Sequence, residues 1–395
     1  MTERLYYRDP ALLEFDATLL EQKDSGGRIA VRLDRSAFYP TSGGQSFDLG
    51  LINDVPVVEI LESDDGEVWH ILEKSPGSPG TKAHGRVDPT RRLKNRQQHT
   101  AQHILSALFV RDCNLETVSV HLGDDYGAIE LNTTAVEADR LQKIELAANQ
   151  IIFDSVPVEI LFAEGDELSR IPLRKPPDRT GVIRIIRIGD LDWSACGGTH
   201  CNSTAQVGLV KIIGTEKIRS HLLVKFLSGM QAVQDYALRF KITDTLSRTL
   251  TCAVSDLPGI FESQSNDNKA LRKDVSALQK ELLPIHAAKL AQTAETSGRF
   301  KVIAFESTAD AQIAGQLTAL VADAIDGIAL AVADGRLLLA VSANTQLHAG
   351  DLAKQLGTQL GFRGGGSNRQ AQLGGADPKK LQEYTHQLQA LIPHA

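Results

Sequence analysis

Cysteine is scarce in this chain: Cys113, Cys196, Cys201 and Cys252 are the only four among 395 residues. So few thiols over such a length give no disulfide framework, which leaves metal binding or a reactive thiol as their first uses. Aromatic residues are also few, at 5%, yet 42% of residues are hydrophobic and 23% are charged. That is the balance of a globular chain, not of a disordered or fibrous one. No run approaches the ~18 apolar residues that a membrane-spanning helix needs. The opening MTERLYYRDP carries charge where a secretory signal has its apolar core, so the expected location is the cytoplasm, with no membrane partner. The length calls for about two to four domains, because single cores stop growing near ~250–300 residues.

The formal net charge of −7 argues by itself against a polyanionic partner. The distribution argues the other way. Residues 81–100 hold Lys82, Arg86, Arg91, Arg92, Lys94 and Arg96 against Asp88 alone. Residues 170–187 hold Arg170, Arg174, Lys175, Arg179, Arg184 and Arg187 against Asp178, and residues 211–225 hold Lys211, Lys217, Arg219 and Lys225 against Glu216. Such segregation is either an electrostatic footprint for nucleic acid or three unrelated solvated faces.

From residue 1 to 88 the chain reads as β-structure. The apolar runs RIAVRLDR, LGLINDVPVVEIL and EVWHIL are separated by the turn clusters SGG, SDDG and SPGSPG, the texture of a small barrel or sandwich. From residue 89 the texture changes: in TRRLKNRQQHTAQHILSALFVRD, residues Leu93, His99, His103, Ile104, Ala107 and Leu108 recur at helical spacing. A strand over TVSVHL, a turn at Gly123–Asp125, a second strand, a helix over VEADRLQKIELAANQIIFDS and a strand over VPVEILFA follow. Residues 230–297 are helix-like. Leu271, Val275, Leu278, Leu282 and Ile285 are spaced as a coiled-coil seam interrupted by Pro284, serving either a dimer contact or packing within its own domain. Residues 298–395 alternate strand and helix as a compact α/β unit and contain a glycine-rich loop in GFRGGGSNRQAQLGG. The expected class is α+β and multidomain: a small N-terminal β-barrel (1–88), an α+β domain (89–229), a long helical segment (230–297) and a C-terminal α/β domain (298–395).

His99 and His103 lie four residues apart on the expected helix, so both imidazoles leave one face and can converge on one ion. Zinc proteases place a glutamate directly after the first histidine; Thr100 stands there instead. Farther on, Cys196 and His200 flank a Gly-Gly-Thr turn in RIIRIGDLDWSACGGTH. Thiolate and neutral imidazole are donors that zinc prefers, and Gly197 and Gly198 let the loop bend tightly enough to present both. Either half alone also fits an ordinary histidine pair or a buried thiol. Together they make a His₃Cys set whose natural occupant is one Zn²⁺ per chain.

The pairing of HTAQH with CGGTH resembles the editing domain shared by alanyl-tRNA synthetases and the free-standing AlaX proteins. FYPTSGGQSFDLG resembles a turn of that family's N-terminal β domain, KFLSGMQAVQDY resembles a segment of the long AlaX class, and GGGSNRQAQLGG is similar to the signature of the DHH-associated domain that ends alanyl-tRNA synthetases. The resemblance covers nearly the whole chain, in the family's order. A synthetase would carry an ATP-binding catalytic domain and a tRNA-recognition domain ahead of the β domain, so the expectation here is the long, free-standing form, which edits without charging.

The resemblance implies a zinc-dependent hydrolase of mischarged tRNA(Ala), foremost Ser-tRNA(Ala), with tRNA as partner. The alternatives are a non-catalytic, zinc-stabilised tRNA-binding module, or a deacylase for another mischarged tRNA. His99, His103 and Cys196 are expected as firm ligands, and His200 as a weaker fourth ligand or a proton-handling neighbour. Period-two geometry puts Thr117, Ser119 and His121 on one strand face, as a pocket wall for serine or as a solvent edge. Gly197, Gly198 and Thr199 are candidate donors to the ester or ribose, and Cys201 is expected as a packed thiol. Arg91, Arg92, Lys94, Arg96, Arg174, Lys175, Arg363 and Arg369 are the candidate tRNA contacts, and a homodimer through the helical segment or the C-terminal domain is the expected assembly.

Overall fold

A computed structural model describes residues 1–177 and 180–392; Asp178 and Arg179 of the second basic window, and the last three residues of the expected C-terminal domain, lie outside the described residues. The chain divides into two compact units, Met1–Leu250 and Thr251–Ala395. The division falls inside the expected 230–297 segment, which holds two helices, Gly229–Leu250 and Leu257–Ala291, one in each unit. Pro284 does not interrupt the second of these, whose 35 residues run through it.

In the first unit, six strands close a barrel in the ring order Glu14–Ser25, Arg28–Leu33, Val68–Leu72, Val55–Glu62, Gly50–Ile52 and Lys82–Val87. Alternation builds it: Ala83, Gly85 and Val87 are buried while Lys82, His84 and Arg86 are exposed. Gly85 leaves room for Phe15, whose ring a Cβ there would meet at 2.3 Å. Leu19, Val31, Leu33, Phe38, Ile52, Ile60 and Leu72 fill the interior.

His70 is buried in this barrel beside Ser36 Oγ at 2.7 Å and Val31 O at 3.3 Å, and burial lowers its pKa to about 4. An unfolded histidine titrates near ~6.5, so between these values the unfolded chain binds the extra proton. This contribution to stability is complete above pH ~6.5 and declines as pH falls, by roughly 3 kcal/mol by pH ~4. Urea unfolding of His70→Asn should show a shallower acid decline than the wild type; parallel declines would remove His70 from the explanation.

The helix Pro89–Cys113, here α1, begins where Asp88 accepts hydrogen bonds from the amides of Thr90 and Arg91, with Pro89 at the first position, and ends at Asn114 in the left-handed conformation. Elements surround it on all sides, so residues 95–109 are buried throughout. A four-stranded sheet (Val210–Ile218, His221–Ser228, Gly127–Leu131, Thr117–Leu122), a three-stranded sheet (Val158–Ala163, Ile183–Ile188, Asp192–Ala195) and the helix Ala138–Phe153 accompany it. Ile104, Leu105, Leu108 and Phe109 of α1 share a core with Ile129, Ile144, Ile152, Ile186, Val224 and Phe226. Burying a row of asparagine, glutamine, arginine and histidine in α1 is costly without partners, and those partners form the site described below.

In the second unit, a six-stranded mixed sheet has the order Glu295–Ser297, Phe300–Glu306, Ile328–Ala333, Arg336–Val341, Gln370–Gly374, Arg363–Gly366. Along Ile328–Ala333 the large residues Ile328, Leu330 and Val332 enter one core, with the helices Ala349–Leu360 and Leu381–Leu391. Ala329, Ala331 and Ala333 enter the other, where small side chains admit the helix Ala311–Ile325 and the end of Leu257–Ala291. The expected glycine-rich loop is instead a hairpin. A Cβ at Gly364 would meet Gln372 O at 2.0 Å and one at Gly366 would meet Gln370 O at 2.2 Å, so these glycines permit close strand pairing.

A candidate metal centre and its cavity

Two helical residues and one loop converge on a point. One ligand atom from each of His99, His103, Cys196 and His200 lies within 4.8 Å of every other, and Cys196 Sγ is 3.4 Å from both His99 Nε2 and His200 Nε2. The loop can cross α1 this closely because residue 198 is glycine, where a Cβ would meet the His99 ring at 2.1 Å.

Each imidazole is oriented from behind. His99 Nδ1 donates to Gln45 Oε1 at 2.8 Å, and His103 Nδ1 donates to Asp192 Oδ2 at 2.8 Å. His200 Nδ1 lies 3.3 Å from the Thr100 hydroxyl, a looser support. These bonds point Nε2 of each ring toward the common centre, as ligating histidines require. Asp192 is itself held by Arg174 Nε at 2.7 Å and by the Ser194 hydroxyl. Donor types, separations and supporting hydrogen bonds all fit a tetrahedral, zinc-like ion.

Cys196 and His200 are shifted toward the deprotonated forms that a metal needs, whereas His103 is shifted away from it and would release a proton on metal binding. Burial works against the Cys196 thiolate, but the surrounding histidines hold its pKa well below the usual thiol value. Burial alone would lower His103, yet the hydrogen bonds to Asp192 and Cys196 carry it up to about 9. Asp192 resists the upward push of burial and stays at about 2 because of His103 and Arg174. Burial dominates at His200, whose pKa falls well below the ordinary imidazole value.

The cluster borders a cavity of about 970 Å³, whose lining includes Tyr7, Tyr39, Gly44, His99, His103, Thr117, Ser119, Lys175, Arg184, Cys196, Gly197 and Gly198. Several expected roles need correction. The strand Thr117–Leu122 has a β-bulge at Val118: Ser119 pairs with Glu130 but Thr117 with Leu131, so strict alternation fails. Thr117 turns inward and donates to Ser106 Oγ at 2.7 Å, whereas the His121 ring packs beside Tyr126 and lines no part of the cavity. Thr199 is buried, with its amide donating to Gln45 Oε1 and its hydroxyl accepting from Gln45 Nε2, so it is a strut and not a cavity donor. Cys201 packs in the core as expected.

The basic windows change meaning as well. Arg92 is 1% exposed and bonded to Asp48, Pro10 O and Ala37 O, so it cannot meet RNA. Arg96 is buried on His200 O, Asn202 and Gln206, and Arg174 braces Asp192. Arg91 and Lys94 pair with Asp124, and Arg369 pairs with Asp323. Lys175 and Arg363 remain exposed. Arg96 and Arg174 therefore brace the site from within, while Arg92 ties α1 to the barrel. Gln45 and Asp192, which orient the histidines, and Arg184, which borders the cavity, are side chains that spacing did not single out. Gln45 arrives from the barrel unit, so only its place in FYPTSGGQ could have drawn attention to it.

A family model described as the threonyl and alanyl tRNA synthetase second additional domain matches residues 183–223, which hold the CGGTH loop. The chain is 30% identical over 412 aligned residues to the alanyl-tRNA editing protein AlaX-L of Pyrococcus horikoshii, covering 100% of this chain and 99% of that protein. It is 29% identical over 386 residues to the alanine-tRNA ligase of Archaeoglobus fulgidus, covering 94% of this chain but 42% of the ligase. It is also 29% identical over 416 residues to the corresponding ligase of Methanosarcina barkeri, covering 97% of this chain and 43% of the ligase.

Proposed function

This chain belongs to the family of the alanyl-tRNA editing protein AlaX-L, and on that premise we propose that it hydrolyses mischarged tRNA(Ala), foremost Ser-tRNA(Ala), at a zinc ion held by His99, His103, Cys196 and His200. The observation that carries this reading is the meeting of four zinc-type donors at the wall of a cavity large enough for an aminoacyl-adenosine. When bound, zinc supplies either a water of lowered pKa or polarisation of the ester carbonyl. The chain's own residues do the rest. Gln45 and Asp192 fix the imidazoles, Thr117 and Ser119 border the space for the amino-acid side chain, and the Gly197–Gly198 backbone borders the ester. Lys175 is the proposed phosphate contact at the cavity, and Arg363 a second contact in the C-terminal unit. The protein would act in the cytoplasm, where tRNAs are charged. Among the described residues no helix is long and apolar enough to cross a membrane.

The hydrolase reading is tested with purified protein and serine esterified to tRNA(Ala) or to serine's own tRNA. Release from the first alone supports it; binding of the first without release points to a non-catalytic module, and release from other mischarged tRNAs points to a different editing substrate.

The proposed assembly is a parallel homodimer through the helix Leu257–Ala291. Leu271, Val275, Leu278, Leu282 and Ile285 are between 51% and 64% exposed. Asp267, Asp274 and Glu281 flank one side of this seam and Arg272 and His286 the other. Parallel pairing sets Asp267 against Arg272 and Glu281 against His286, whereas antiparallel pairing sets acid against acid. Light scattering should give twice the chain mass, and Leu278→Glu should halve it; a monomeric wild type would dismiss the seam.

A further inference from the structure

Arg184 sits on the strand Ile183–Ile188, is 6% exposed and borders the metal cavity. A buried guanidinium is ordinarily matched by a carboxylate. Arg184 has none: among the described residues it forms no ion pair, and its partners are three backbone carbonyls. Nε donates to Tyr7 O at 2.9 Å, and Nη1 donates to Cys196 O at 2.6 Å and Gly198 O at 3.0 Å. Its charge lies near the Tyr7 ring, 5.5 Å from the centroid, and Nη2 is buried without a partner. The main chain of the same residue takes the other side of Cys196, whose amide donates to Arg184 O at 3.1 Å. Both peptide groups of the cysteine are thus held by one residue.

This grip sets the orientation of the next peptide. The bond between Cys196 and Gly197 is trans, so its N–H points opposite to its carbonyl. With the carbonyl drawn onto Arg184, the Gly197 N–H is turned away from the guanidinium. Gly197 lines the cavity, and none of the described hydrogen bonds uses its N–H. The amides on either side are engaged: Gly198 N–H donates to Cys196 Sγ and Thr199 N–H to Gln45.

We propose that Arg184 is a positioning residue for ester cleavage, which fixes the Cys196–Gly197 peptide so that the Gly197 amide donates to the oxyanion that forms on the substrate carbonyl. This rests on the hydrolase reading above and assigns that reading its oxyanion donor. In the reaction, the oxygen of water bonds to the ester carbon and the C=O electron pair moves onto the carbonyl oxygen. On collapse the C=O bond re-forms, the ribose oxygen leaves with its electron pair, and the proton lost by the water goes to that oxygen. A preset amide stabilises the intermediate charge more than the ground-state carbonyl, so its loss lowers kcat and not substrate affinity.

The test compares wild type, Arg184→Met and Arg184→Lys by metal content, by kcat and KM on Ser-tRNA(Ala), and by binding of two seryl-adenosine analogues. One analogue carries a tetrahedral anionic phosphonate in place of the ester and the other a trigonal amide. Arg184→Met should keep its metal and hold KM within about threefold while kcat falls about 100-fold, the usual effect of losing one oxyanion donor. Its affinity for the phosphonate should fall in proportion, with little change for the amide. Arg184→Lys, whose single ammonium cannot hold the Tyr7 carbonyl together with those of Cys196 and Gly198, should remain well below wild type. Metal loss in Arg184→Met, equal losses on both analogues, or full activity in Arg184→Lys would overturn the proposal. A wild type that cleaves no ester would sink the hydrolase reading itself, while the phosphonate-to-amide ratio would still judge the role of Arg184.

Discussion

Cys196→Ala is expected to abolish stoichiometric metal binding and to lower serine release by roughly 1000-fold, the scale of several kcal/mol of metal-derived stabilisation. The thiolate is the one anionic donor in the cluster, and it lies in contact distance of both His99 and His200. Its loss leaves three neutral imidazoles with no charge to offset the ion's. His200→Ala should be milder, because the Thr100 hydroxyl supports that ring at 3.3 Å whereas Gln45 and Asp192 hold His99 and His103 at 2.8 Å. A catalytic zinc needs a position that substrate or water can enter, and the least firmly oriented ligand is the natural one to yield it. Metal content of the two variants after dialysis decides the matter: equal loss in both would reject the distinction between firm and yielding ligands.

The second large effect belongs to Asp192, which contacts neither metal nor substrate. Its side chain is fully buried between His103 and Arg174. Asp192→Ala takes the carboxylate from the partly exposed Arg174 guanidinium and from the buried His103 ring, so the expected costs are about 2–3 kcal/mol of stability and about 10–100-fold in metal affinity. The two losses should appear together in urea unfolding and in chelator competition, and a variant of wild-type stability would contradict the geometry. The pH dependence has a definite sign. The folded carboxyl titrates at about 2, below its ordinary 3.8. Its contribution is therefore present above pH ~4 and lost as pH falls toward ~2, amounting to roughly 2 kcal/mol. Asp192→Asn should lose this acid-sensitive component.

The clustering of four candidate donors could be read from spacing because a helix and a tight loop translate sequence separation directly into position: four residues place His99 above His103, and two glycines fold Cys196 back beside His200. The barrel strands and the alternating C-terminal strands were legible for the same local reason. Long-range partners were not. Gln45 and Asp192 reach the histidines across sequence separations of 54 and 89 residues, and no local periodicity encodes such contacts. The bulge at Val118 takes Thr117 out of phase with Ser119 and His121, since one extra residue inverts the phase of a strand. Charge clustering left open which cations are free, because a basic window does not distinguish an arginine facing RNA from one such as Arg92 that is buried on Asp48.

Most directly decisive is release of amino acid from tRNA(Ala) carrying serine or alanine, measured with the metal-loaded protein, after chelation and after zinc is restored. Metal-dependent editing predicts serine release that disappears with the chelator and returns with zinc, with alanine left in place throughout. Serine release that persists after chelation and in Cys196→Ala would contradict it.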